Sequence, residues 1–180
     1  MAGTRDPCLF ARGNTADISR IKCGLIKKQL RDCKTTRRVN KIIAQYYPSD
    51  IPAQPLIYHE AQALLRLQKY GIAPKLIDMQ KDYLIMTYTG KPITKQSKLV
   101  NLSVRIAQMI AALSETSITH NDLRRDFRNY TELDGVLYLI DFQVSDIGNI
   151  RPGAAIRKGR EYFYNNNEED LRWFYDNTKN

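Results

Sequence analysis

The dipeptide Asp134-Gly135 constrains this chain more than any other feature. It lies between NYTEL and VLYLI, two runs of strand-forming residues, and is a strong signal for a two-residue hairpin turn. Counting outward from the turn, Leu133 faces Val136, Tyr130 faces Leu139 and Asn129 faces Ile140. Asn129 and Asp141 therefore become neighbours at the open end of the hairpin. Just upstream is SITHNDLRRDFRNY, with His120, Asp122, Arg124, Arg125, Asp126 and Arg128 in close succession. Two carboxylates, Asp122 and Asp141, thus converge with the Asn129 amide oxygen. Such oxygen donors suit Mg²⁺, which takes one or two carboxylates and completes its shell with substrate phosphates. Arg124 and Arg125 could neutralise a phosphate. His120 reads as a packed, hydrogen-bonded residue.

The rest of the chain supplies a frame for that loop. CLFARG, DISRIK and LIKKQL read as short strands, with Cys23-Gly24 as a turn. Residues 34–52 are basic and broken by Pro48 and Pro52, so they are expected to include a loop. LIYHEAQALLRLQKYG reads as a helix with Ala61, Leu64, Leu65 and Gln68 on one face and Gly71 as its stop. DYLIMTYTG reads as a buried strand. KLVNLSVRIAQMIAALSET carries a continuous apolar stripe of Leu99, Leu102, Ile106, Met109, Ile110 and Leu113. A terminal helix, EEDLRWFYDN, follows the hairpin. The fold class is α+β, strand-rich first and more helical later.

Composition narrows the function classes. No apolar run is long enough for a membrane span, and MAGTRDPCLFARG lacks the apolar core of a secretory signal. The three cysteines and two histidines are not spaced for a zinc site. Free thiols point to a reducing compartment, the cytoplasm. The net charge is +9, much of it between Arg20 and Lys41, and a basic face attracts phosphates of nucleic acid, nucleotide or lipid.

Several motifs, in order, resemble those of the protein-kinase superfamily. H-N-D-L-R, a later asparagine and L-I-D-F resemble H-x-D-L-x-x-x-x-N and D-F-G. The resemblance implies a bilobal kinase-like fold in one domain spanning 1–180. Its small N-lobe would run over about 1–90 and its reduced C-lobe over about 91–180. ATP and Mg²⁺ are the implied ligands. Asp122 would be the catalytic base, Asn129 and Asp141 the metal ligands, and Arg124 a phosphate-facing cation. GLIKK resembles V-A-I-K. Lys27 is assigned as the nucleotide-binding lysine, because choosing Lys28 would put Lys27 where the motif has an apolar residue. Glu60 matches the helix glutamate that pairs with that lysine. RGNTADISRI resembles a reduced glycine-rich loop with Gly13 as its one glycine. Met86, Thr87 and Tyr88 would line the adenine site. HEAQALLRLQKYGIAPKLID with a short C-lobe is similar to the small atypical kinases, namely the KEOPS-complex kinase of tRNA threonylcarbamoylation and, more distantly, the RIO kinases.

These features imply Mg-ATP-dependent phosphoryl transfer to Ser/Thr hydroxyls of a protein substrate. There are departures. Phe127 occupies the usual asparagine position, D-F-Q replaces D-F-G, and no A-P-E motif follows. They keep two other readings open: a pseudokinase or nucleotide-binding module, and an ATPase of an RNA-modifying assembly that binds RNA through the basic segment 20–41. The short C-lobe invites completion by a partner protein. Compactness also fits a viral minimal kinase, which would place the chain in host cytoplasm.

Overall fold

The computed structural model describes residues 9–21, 24–94, 97–123, 127–156 and 166–178. The strands β1 (Leu9–Arg12), β2 (Ala16–Arg20) and β3 (Leu25–Leu30) come first. The helices α1 (Lys34–Ile43) and α2 (Pro55–Leu67) follow, then β4 (Leu76–Met79) and β5 (Tyr83–Thr87). The five strands form one antiparallel sheet in the order β1-β2-β3-β5-β4.

Register decides which side chains this sheet turns inward. Ile18 pairs with Lys28, Lys28 with Leu84, and Ile26 with Met86. Because side chains alternate along a strand, Ala16, Ile18, Ile26, Lys28, Leu30, Leu84 and Met86 share one face. Ala16, Lys28, Leu30, Leu84 and Met86 are buried there. Lys27 belongs to the opposite face, where its Nζ lies 4.0 Å from the centroid of the Tyr83 ring.

Two helices differ from the sequence reading. Residues 34–43 form α1, and the irregular stretch is confined to the segment around Pro48 and Pro52. The helix is specified by Cys33 as N-cap, whose sulfur accepts from the Thr36 N–H, and by the buried stripe Thr36, Val39 and Ile43. The expected loop is present around Pro48 and Pro52, and the basic residues before it form the outer face of a helix that the sequence reading did not name. In α2, Pro55 occupies the first turn, where its missing N–H costs nothing. Its buried face carries Ile57, Glu60, Ala61, Leu64 and Leu67, whereas Leu65 is 51% exposed and Gln68 is exposed.

The second half contains β6 (Lys91–Pro92), α3 (Leu102–Glu115), β7 (Ile118–Thr119), β8 (Tyr130–Leu133) and β9 (Val136–Leu139). A 3-10 turn (Phe142–Val144), β10 (Asp146–Ile147), α4 (Gly153–Ile156) and α5 (Asn167–Thr178) complete it. The hairpin has the expected register, Tyr130 with Leu139 and Leu133 with Val136. Asp134 (φ 54°) and Gly135 (φ 79°) both adopt the left-handed turn geometry. Strand β6 adds to the hairpin beside β8. Gly90 permits that approach, since a Cβ there would lie 1.7 Å from the Glu132 carbonyl oxygen. From α3, Ile106, Met109, Ala112 and Leu113 enter the core, with Leu102 and Ile110 at its margin, and Leu99, ahead of the helix, packs there too. Arg105 ties α3 to both halves, donating to Leu137 O (2.8 Å) and Gly71 O (2.6 Å). Among the described residues no helix is long and apolar enough to cross a membrane.

Candidate active site

The site is organised around Lys28. Its Nζ donates to Glu60 Oε1 at 2.8 Å and to Asp141 Oδ1 at 2.7 Å. One ammonium thus joins β3, α2 and the residue that opens the Phe142–Val144 turn. Burial pulls the Lys28 ammonium down, but the charges of Asp141 and Glu60 and hydrogen bonds to both leave it above the usual lysine value. Burial also pushes the Glu60 carboxyl up, against the pull of Lys28. At Asp141 the upward push of burial is outweighed by the charge and hydrogen bond of Lys28, so its carboxyl lies below the usual range. The Lys28 and Glu60 side chains are 8% and 2% exposed, while that of Asp141 is 41% exposed. The cluster is sealed on the α2 side and open at Asp141.

The expected lysine, Lys27, is not the one brought to this cluster. Lys28, not Lys27, meets Glu60 and Asp141, because the inward face of β3 carries Ile26, Lys28 and Leu30. Lys27 can be polar because the outer face it occupies is partly solvent-exposed. The signal was in the sequence: Ile26 and Leu30 flank Lys28 on its own face, whereas Lys27 shares its face with Leu25 and Gln29.

The hairpin end brings the other oxygen donors close. The Ile140 N–H donates to Asn129 O at 3.0 Å, so Asn129 is held opposite the residue preceding Asp141. The Asn129 Nδ2 group donates to the Asp122 backbone carbonyl and, at 2.9 Å, to Asp122 Oδ2. With Nδ2 committed to Asp122, the amide oxygen is the end available to a cation. Phe127 is turned away from this group. It sits at φ 56° and packs on Trp173 and Phe174, with ring centroids 5.9 Å and 5.3 Å away. Arg124 lies outside the described residues. Asp141 itself is left-handed (φ 66°, ψ 63°), a conformation Asp tolerates better than most residues. Asp141 and the Asn129 amide oxygen are hard donors of the kind Mg²⁺ takes alongside substrate phosphates, while among the described residues no group of three His, Cys, Asp or Glu is placed to hold a metal ion by itself.

The remaining expected residues surround this centre. Gly13 lies in the β1–β2 turn, its N–H donating to Ala16 O at 2.8 Å. Met86 is buried on the Lys28 face of the sheet. Tyr88 follows β5, its N–H bonded to Gly24 O (2.7 Å) and its ring beneath the Arg20 guanidinium (4.7 Å).

Other residues hold the site in place, among them His120, which the sequence marked as packed and hydrogen-bonded. His120 Nε2 donates to Ile140 O at 2.8 Å, joining the charged loop to the hairpin. Asn167, the first residue of α5, accepts from the His120 N–H (2.9 Å) and donates to Ile118 O (2.6 Å). His59 is buried in α2 between the Tyr47 hydroxyl and Ser145 O, each 2.8 Å away. Thr15 Oγ1 donates to Gln143 Oε1 at 2.7 Å, bridging the β1–β2 turn and the turn after Asp141. Periodicity and motif spacing cannot show contacts between residues this far apart in the chain.

No protein-family model matches the sequence, and no curated protein matches it. Solved structures do match. The Rio2 kinase of Chaetomium thermophilum, as its ADP/Mg²⁺-phosphoaspartate complex, aligns with a TM-score of 0.56 and 13% identity, over 92% of this chain and 53% of that one. A second structure of the same kinase aligns with a TM-score of 0.56 and 12% identity, over 93% and 56% respectively. The chain spans about half the length of these kinases. Its strand-rich first half, the α2 helix behind Lys28 and the helical second half make up a protein-kinase-like fold.

Proposed function

We propose that this chain is an atypical kinase that transfers the terminal phosphoryl group of Mg-ATP to a Ser/Thr hydroxyl of a protein. The observation that carries the reading is the Lys28 ammonium held between Glu60 and Asp141, next to the hairpin end where Asn129 fixes Asp122. Bound Mg²⁺ would neutralise phosphate charge, held by Asp141 and the Asn129 amide oxygen. Lys28 positions the phosphates, and Glu60 fixes Lys28 from behind. Met86 and Tyr88 border the base. Asp122, its rotamer set by Asn129, takes the proton of the acceptor hydroxyl, a role worth about 10²–10⁴ in rate. Arg124, two residues on in the sequence, would supply a cation for the transferred phosphate. Positioning and charge neutralisation supply most of the acceleration.

The test is transfer of labelled phosphate from Mg-ATP to a mixed protein substrate. Wild type should transfer label, Asp141→Ala should transfer none, and Asp122→Asn should lose about 10²-fold or more. Equal transfer by all three contradicts the assignment. Mg-ATP binding with no transfer to any acceptor supports the pseudokinase reading instead.

A second reading concerns partners. Lys34, Arg37, Arg38 and Lys41 are all exposed on α1, a helix with no acidic residue. The Arg37–Asp32 pair, 3.2 Å apart, is too exposed to neutralise the patch. This face favours a polyanion such as RNA, consistent with ATPase or kinase work in an RNA-modifying assembly, and a protein partner could complete the short C-terminal half.

A further inference from the structure

We propose that Thr15 and Gln143 form a latch that closes the β1–β2 turn onto the segment after Asp141, and that this latch sets how fast nucleotide enters and leaves. The inference rests on the nucleotide reading given above. Glycine-rich turns approach phosphates through backbone freedom. Here the turn Gly13–Thr15 has one glycine, and side chains hold it instead. Arg31 Nη1 donates to Gly13 O (2.9 Å) and Cys33 Sγ to Asn14 O (3.3 Å). Thr15 O accepts from the Arg31 N–H (2.9 Å) and from Thr36 Oγ1 (3.2 Å). All three carbonyls of the turn are thereby committed to the β3–α1 side.

The Thr15 hydroxyl reaches the other way, to Gln143 Oε1 at 2.7 Å. Gln143 is two positions after Asp141 and 4% exposed, so its side chain has little freedom. The contact spans the gap between the β1–β2 turn and the Asp141 segment. That gap is the path the phosphates must take if they are to meet Lys28 and Asp141. The other end of the amide, Gln143 Nε2, is buried with no hydrogen-bond partner. Such a donor is costly to leave unpaired, and phosphate oxygens are the acceptors this site would receive. Gln143 is therefore a positioning residue with two tasks. Its oxygen holds the turn down, and its nitrogen offers a donor to the ligand.

Two near-isosteric variants test the latch, Thr15→Val and Gln143→Met, together with their double variant. In the ligand-free protein, amide exchange at Gly13 and Arg31, which report on the turn, should speed up about fivefold in each single variant, the effect of one lost neutral hydrogen bond. The double variant should go no further, since both changes break the same bond. Association and dissociation of a fluorescent Mg-ADP analogue should both accelerate in the variants. Unchanged exchange and unchanged nucleotide rates in folded variants overturn the latch while leaving the kinase reading standing. Additive effects in the double variant also overturn it. If wild type binds no nucleotide, the proposed function falls and takes the kinetic part with it, and the exchange data then decide the closed turn alone.

Discussion

Lys28 faces two carboxylates with one charge, sealed from water on the Glu60 side and open at Asp141. Removing it strands Glu60, which is 1% exposed. Breaking a buried pair from one side costs about 3–5 kcal/mol, so Lys28→Ala should lose that much in a urea titration at pH 8. Lys27→Ala gives up a cation–π contact at the sheet's outer face and should lose under about 1 kcal/mol. The Lys28→Ala deficit should shrink at pH 5. Burial pushes the Glu60 carboxyl up even against the pull of Lys28, so without Lys28 the stranded carboxyl takes up a proton on acidification and the variant recovers stability relative to wild type. A pH-independent deficit would place the cost elsewhere. At this scale motif order was enough to expect a β3 lysine paired with Glu60, and the buried face of β3 decides that it is Lys28. Adjacent lysines on a two-sided strand can be told apart only by which face is buried, and that face is fixed by the pairing of Ile26 with Met86 and Lys28 with Leu84.

Among elements, the hairpin and α5 hold the charged loop in shape. Tyr130 stacks on Phe174 with ring centroids 4.0 Å apart, and Phe127 packs on Phe174 edge-on. Phe174→Ala should cost about 3–5 kcal/mol, measured by thermal or urea unfolding. It should also loosen the loop, because α5 carries Asn167. The α2 helix is fixed through His59, and here a pH dependence follows. Burial, the largest influence, holds the imidazole below its ordinary value despite the Ser145 carbonyl and the Asp146 charge. The unfolded chain therefore binds the proton first, and His59 removes stability as pH falls below about 6.5. The urea midpoint should drop between pH 7.5 and 5.5, and His59→Gln should flatten that drop. The hairpin was readable because Asp134-Gly135 permits one turn type and period-two alternation does the rest. The α1 helix was not, because its basic outer face masked the Thr36, Val39 and Ile43 stripe. The tie from Asn167 to His120 joins residues 47 positions apart, beyond the reach of any local pattern.

Over the whole molecule, a net charge of +9 is concentrated in part on the exposed face of α1. If that face takes RNA, binding should weaken steeply with salt, and Arg37→Glu with Arg38→Glu should lower the salt slope by roughly two phosphate contacts. Nucleotide binding should stay unchanged, because neither arginine touches the site. Binding that ignores salt would contradict an electrostatic face. The division of labour is then simple. The first half supplies Lys28, Glu60 and a pinned turn, and the second supplies Asp122, Asn129 and Asp141. On the proposed function, Mg-ATP would bind where the two halves meet. The most direct measurement is the unfolding temperature with Mg-ATP, ATP alone and neither, for wild type, Lys27→Ala and Asp141→Ala. Ligand at 100 times its Kd stabilises by about 2.7 kcal/mol, which is about 5–10 °C for a chain of this size. We expect a Mg-dependent rise of that order in wild type and Lys27→Ala, and its loss in Asp141→Ala. No rise in wild type, or an equal rise in Asp141→Ala, would contradict the account.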